Sequence, residues 1–234
     1  MRLDKLLSDM QGITRSEIKR LIKQGTVTVD GVKCASPKQQ VDPKIQSVCL
    51  LGEEIQYQKF VYYMFNKPGN CVTARQDALH KTVMDYITDK RKGLSPVGRL
   101  DLDTEGLLLI TDDGMLSHNL LSPAKHVEKV YEAKILGQVT DEDVKAFKNG
   151  VHIGDDLPAK PAKLTVLSEG DVSNVRVVIT EGRYHQIKRM FSAVGKQVLF
   201  LKRVAMGGLW LDETLLPGEY RALREDEKEL LGRN

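Results

Sequence analysis

Seven strand-like segments, VYYMFN, LLLIT, KVYEAKI, AKLTVL, VRVVIT, QVLFLKR and GEYRAL, run through residues 61–223, and only four helical stretches interrupt them. The helical stretches are KTVMDYITDK, MLSHNLL ahead of Ser122-Pro123, TDEDVKAFKNG between a Thr140 cap and Gly150, and YHQIKRMFSAVG ending at Gly195. A doubly wound parallel sheet demands stricter alternation of strand and helix than this. The pattern therefore predicts an α+β fold, with a larger domain on a mostly antiparallel or mixed β-sheet flanked by helices.

In front of that domain lies a segment of different character. Residues 1–50 hold nine Lys/Arg against five Asp/Glu, within a chain whose net charge is only +3. In TRSEIKRLIKQG, Thr14 with Glu17 forms a capping box and Gly25 is a stop. Ile18, Leu21 and Ile22 share an apolar face, while Arg15, Lys19 and Lys23 stack at i, i+4 and i+8. Such a column is either a solvated helix face or a surface that lies along phosphates. TVTVDGVKC then alternates around Asp30-Gly31, a strong hairpin signal. GEEIQYQKF, residues 52–60, shows no strong pattern and is read as a linker, which sets expected domains at 1–58 and 59–234.

The chain has 234 residues, 41% apolar and 29% charged, enough for one large or two modest domains. Cys34, Cys49 and Cys71 are odd in number and form no CxxC or Cys/His cluster, which speaks against disulfides and zinc and for a reducing, cytoplasmic setting. No apolar run approaches about 18 residues, so neither a signal peptide nor a membrane span is expected.

The densest chemistry lies in PVGRLDLDTEGLLLITDDG, where Asp101, Asp103 and Glu105 occupy alternate positions. A calcium loop fits the spacing but lacks an entering helix, because Pro96 and Gly98 precede it and a β-like run follows. If the segment is extended, the three acids share one face and suit magnesium. The remaining reading is a polar turn feeding a buried strand, with Asp103, Asp112 and Asp113 as turn and cap residues and Asp113 starting the next helix. His80 suits a structural hydrogen bond.

That stretch resembles the pseudouridine synthase signature, in which a Gly/His-Arg-Leu-Asp segment is followed by Thr-x-Gly-Leu. NKPGNCVTA, HKTVMDYI, EKVYEAKI and EGRYHQIKRMF agree in order along the chain. RLDKLLSDMQGITRSEIKRLIKQGTVTVDGVKC resembles the alpha-L RNA-binding module. With Gly98 before Arg99, the chain is most similar to the RsuA family, which modifies 16S ribosomal RNA in the helix 18 region.

The resemblance implies that Asp101 is the catalytic aspartate, that Lys188 is its basic partner and that Tyr131 packs against the uracil. It also implies RNA contact through Arg15, Lys19, Arg20 and Lys23 and through the Arg183 segment. Spacing places His185, Lys188 and Arg189 on one helix face without ranking the two cations. Lys129 and Tyr131 share a strand face, Lys129 in a supporting role. Arg99 either enters the space left by an extruded nucleotide or contacts phosphate, or else it pairs with Asp103 or Glu105. The implied reaction is an isomerisation with no redox change, hence no cofactor and no metal. The expected partner is 16S RNA or a partly assembled small subunit, met by a monomer. A relative acting on 23S RNA and a non-catalytic assembly factor stay open as alternatives.

Overall fold

Two short helices and a tight hairpin lead the chain in the computed structural model, which describes residues 1–232. Helix α1 spans Leu3–Gln11 and α2 spans Arg15–Lys23. Thr14 caps α2 by accepting from the Glu17 N–H at 3.2 Å, whereas Glu17 pairs with Arg20 at 3.3 Å instead of reaching back. Leu3, Leu6 and Leu7 of α1 meet Ile18, Leu21 and Ile22 of α2 in one core, the anchoring face that the sequence led us to expect. Strands β1 (Val27–Val29) and β2 (Val32–Lys33) follow. Asp30 and Gly31 between them both have positive φ, 51° and 78°, as a two-residue I′ turn requires. With β3 (Val48–Leu50) and β4 (Glu53–Glu54) they form an antiparallel sheet ordered β2-β1-β3-β4.

Two expectations fail here. The stretch read as a linker supplies β4, and Ile55 enters the front core with Tyr57 packed against it. KTVMDYITDK forms only a single 3-10 turn, Val83–Tyr86. The Asp85 carboxylate accepts from the Thr82 N–H at 2.7 Å and its hydroxyl at 3.1 Å, a local closure that competes with helix, and the β-branched Thr82, Val83, Ile87 and Thr88 are weak helix formers. Residues Ile87–Leu94 belong to the same compact unit as Met1–Val61. Arg91 donates to the Gln58 carbonyl there at 2.8 Å.

The second unit holds Tyr62–Tyr86 and the chain from Ser95 onward. Its strands are β5 (Tyr62–Lys67), β6 (Ser95–Pro96), β7 (Glu105–Thr111), β8 (Lys129–Leu136), β9 (Lys163–Ser168), β10 (Val172–Ile179), β11 (Gln197–Met206), β12 (Leu209–Trp210) and β13 (Tyr220–Ala222). Helices α3 (Gly114–Leu121), α4 (Asp141–Asn149), α5 (Gln186–Ala193) and α6 (Glu225–Gly232) flank them. The sheet runs β13-β5-β7-β11-β8-β10-β9, with β6 on β7 and β12 on β11. Every pairing is antiparallel except β7 with β11. This is the mixed sheet with flanking helices that the seven segments implied.

Strand β7 is apolar from Leu107 to Ile110 because both its faces are covered. Leu107 and Leu109 pack with Met64, Leu120 of α3 and Leu231 of α6. Phe147 of α4, a helix that packs against β9, and Phe191 of α5, which packs against β11, meet at 4.8 Å between ring centroids. Gly106 permits the parallel junction, since its φ is +100° and a Cβ there would lie 2.2 Å from the Arg203 carbonyl oxygen. Asp113 caps α3 by accepting from Met115 and Leu116 N–H groups at 3.1 and 3.0 Å, as expected. Among the described residues no helix is long and apolar enough to cross a membrane.

Candidate active site

The loop between β6 and β7 carries the acidic cluster, and the last residue of β5 and one from the segment after it hold it. The Thr73 hydroxyl donates to the Leu100 carbonyl at 2.8 Å and accepts from the Leu100 N–H at 3.1 Å. Lys67, fully buried, donates to the carbonyls of Pro68, Leu102 and Thr104 at 3.0, 3.2 and 2.8 Å. Burial holds its ammonium below the ordinary lysine range, against the pull of Cys71 and of the nearby carboxylates. Asp101 therefore sits between two clamped carbonyls.

The Thr104 N–H donates to the Asp101 carbonyl at 3.1 Å, so residues 101–104 turn instead of extending. The three acids consequently do not line one strand face. Among the described residues no three His, Cys, Asp or Glu side chains gather in a way that holds a metal ion.

Helix α5 brings the cation. Lys188 Nζ lies 3.3 Å from Asp101 Oδ2 and 2.5 Å from Asp103 Oδ1. Burial pushes the Asp103 carboxyl up, but the hydrogen bond and charge of Lys188 outweigh it and leave the group below its usual range. Arg189 turns away: it donates to the Ile153 carbonyl and to the Tyr184 carbonyl (3.0 Å), and pairs with Asp155. The geometry thus ranks two cations that spacing left equal. His185 is not on the helical face, because it precedes α5 with φ +48°. Its Nε2 lies 3.7 Å from Asp101 Oδ1, and its ring stacks on Tyr184 with centroids 3.9 Å apart.

Asp101, Tyr184, His185 and Lys188 line a cavity of about 590 Å3 within the second unit. Leu100, Ile179 and Leu201 supply its apolar wall, and Tyr131 and Lys129, each 8% exposed, face it from β8. Lys129 donates to the Val127 carbonyl at 2.9 Å; burial, then the charge of Arg203, lowers its pKa. Arg203, opposite Tyr131 on β11, is buried and donates through Nε to the Leu107 carbonyl at 2.8 Å.

The other expected residues divide. Arg99 is exposed at the cavity and, among the described residues, pairs with neither Asp103 nor Glu105. Arg183 also lines the cavity, but its guanidinium is engaged by protein acceptors: the Leu157 and Pro158 carbonyls at 2.7 and 2.9 Å, with Glu181 and Asp155 beyond. It fastens the 155–158 loop. In the front unit Arg15, Lys19, Arg20 and Lys23 are all exposed, Arg20 pairing with Glu17. His80 lies 3.2 Å from Asp77, the structural role expected of it.

Sequence reading passed over Lys67, Thr73, Tyr184 and Arg203. Lys67 carried a usable signal, since the alternation of β5 puts it on the same strand face as buried Phe65.

Comparison with known proteins adds an independent line. The family described as RNA pseudouridylate synthase matches residues 61–193, and the S4 domain matches residues 1–44. The chain is 44% identical over 99% of its length to the uncharacterized RNA pseudouridine synthase YtzG of Bacillus subtilis, of which 98% is covered. It is 40% identical over 97% of its length to ribosomal small subunit pseudouridine synthase A of Yersinia pestis, of which 96% is covered. A crystal structure of a pseudouridylate synthase superposes with a TM-score of 0.70 at 38% identity, covering 99% of both chains.

Proposed function

The chain belongs to the RNA pseudouridylate synthase family, in its RsuA-type branch with an N-terminal S4 domain, and from that premise we propose that it converts one uridine of 16S ribosomal RNA, in the helix 18 region, to pseudouridine. It does so in the cytoplasm as a monomer, on free RNA or a partly assembled small subunit. The observation that carries this reading is the Lys188–Asp101 ion pair in a cavity with Tyr131 in its wall.

The reaction breaks the N1–C1′ bond, turns the detached uracil and joins C5 to C1′; the C5 proton is lost and N1, freed from the sugar, takes up a proton. Atoms balance without an oxidant or an added group, so the proposal assigns no cofactor. Asp101 acts in its ionised form, either adding to C1′ or removing the 2′ proton. Lys188 sets its ammonium 3.3 Å from that carboxylate. Tyr131 packs on the uracil, with its hydroxyl positioned to hold or deprotonate the base, and Lys129 supports the strand from below. Leu100, Ile179 and Leu201 keep the detached base from water. Extruding a nucleotide costs a few kcal/mol. Arg99, exposed and free of Asp103 and Glu105, fills the vacated space or meets the phosphate.

Carbodiimide primer extension on unmodified 16S and 23S RNA, free and as partly assembled subunits, tests the substrate. One new stop in 16S RNA, formed in EDTA, is expected. A stop confined to 23S RNA would overturn the assignment, and no stop anywhere with binding intact would return the chain to an assembly factor.

A further inference from the structure

Tyr184 is 76% exposed at the rim of the cavity. A lone exposed aromatic calls for no explanation, but this one is held in place. Its ring lies on His185 with an interplanar angle of 18°, which covers one face and leaves the other open. Arg189 fixes its carbonyl at 3.0 Å. The Gln186 side chain accepts from the Arg183 N–H at 2.9 Å and donates to Glu181 at 2.9 Å, bracing the turn from both sides. Through His185, 3.7 Å from Asp101, the platform stands one residue from the catalytic carboxylate.

We propose that the open face of Tyr184 stacks on the nucleobase adjacent to the target uridine in the RNA strand. This rests on the reading of the cavity as a uridine pocket. Extruding the uridine leaves the neighbouring base with an uncovered face, and an aromatic ring replaces the lost stacking. The target base itself is served by Tyr131, which lies within the wall at 8% exposure, whereas Tyr184 stands outside it. The turn holds the ring before RNA arrives, so little ordering cost falls on binding.

Two arms test the proposal. In kinetics on unmodified 16S RNA, Tyr184→Phe keeps the ring and stays within about twofold of wild type in kcat/KM. Tyr184→Leu falls by about 5- to 150-fold, the loss expected for one stacked base, and most of it is in KM. A thermal melt of each variant confirms the fold. The second arm places a tryptophan reporter by Tyr184→Trp, combined with Trp210→Phe to remove the chain's one native tryptophan and Asp101→Asn to stop turnover. Titration with the same RNA quenches its emission as a base stacks. Unquenched emission with RNA bound in a gel shift, or Tyr184→Leu kinetics equal to wild type, would overturn the platform. Failure of wild-type protein to make pseudouridine would instead tell against the uridine pocket. The quenching arm needs no turnover and still decides on Tyr184.

Discussion

At the residue scale the site turns on which of two adjacent cations serves Asp101. Lys188 and Arg189 occupy one helical turn, and nothing local separates them. What separates them is a pair of acceptors far away in sequence, the Ile153 carbonyl and the Asp155 carboxylate, which take Arg189. This is why Asp101, Tyr131 and Lys188 were legible only as a motif, while the division of labour on α5 needed the fold. Lys188→Met should lower kcat by about 10²-fold or more, as loss of a preorganised charge at a reacting centre does. Lys188→Arg, which keeps the charge, should fall between. Arg189→Met should reduce the melting temperature more than kcat. Single-turnover assays beside thermal melts check the set, and equal kcat losses for Lys188→Met and Arg189→Met would contradict it.

At the element scale, the loop before β7 is positioned from β5 and the segment that follows it. Lys67→Met removes donors from three carbonyls and should destabilise the protein by about 1–3 kcal/mol, while lowering kcat through a looser Asp101. Its folded pKa is depressed by burial, so between the folded and unfolded values the unfolded chain binds the extra proton. Stability from this group is therefore fully present above the ordinary lysine pKa and declines as pH falls through the lowered folded value. Denaturation across the alkaline range should show that slope in wild type and lose it in Lys67→Met. The seven strands were legible because their apolar periodicity is dictated by faces the sheet must bury. β6 and β12, two residues each, are too short to show a period, and residues 81–90 misled because Asp85 closes a turn where a helix pattern begins.

At the scale of the whole molecule, a net charge of +3 conceals a column of exposed cations on α2, Arg15, Lys19 and Lys23, which we propose lies along RNA phosphates. Substituting Arg15, Lys19 and Lys23 together by Gln should reduce the slope of log binding constant against log salt by about 2–3, with kcat on saturating RNA unchanged. A filter-binding series from low to high salt checks this, and an unaltered slope would remove α2 from the RNA contact. The central claim is that Asp101 makes and breaks the glycosidic bond, and release of tritium from 16S RNA carrying 5-tritiated uridine tests it most directly. Wild-type protein should release label equal to one uridine per RNA, and Asp101→Asn should bind the same RNA and release none. Release by Asp101→Asn at the wild-type rate would contradict the account.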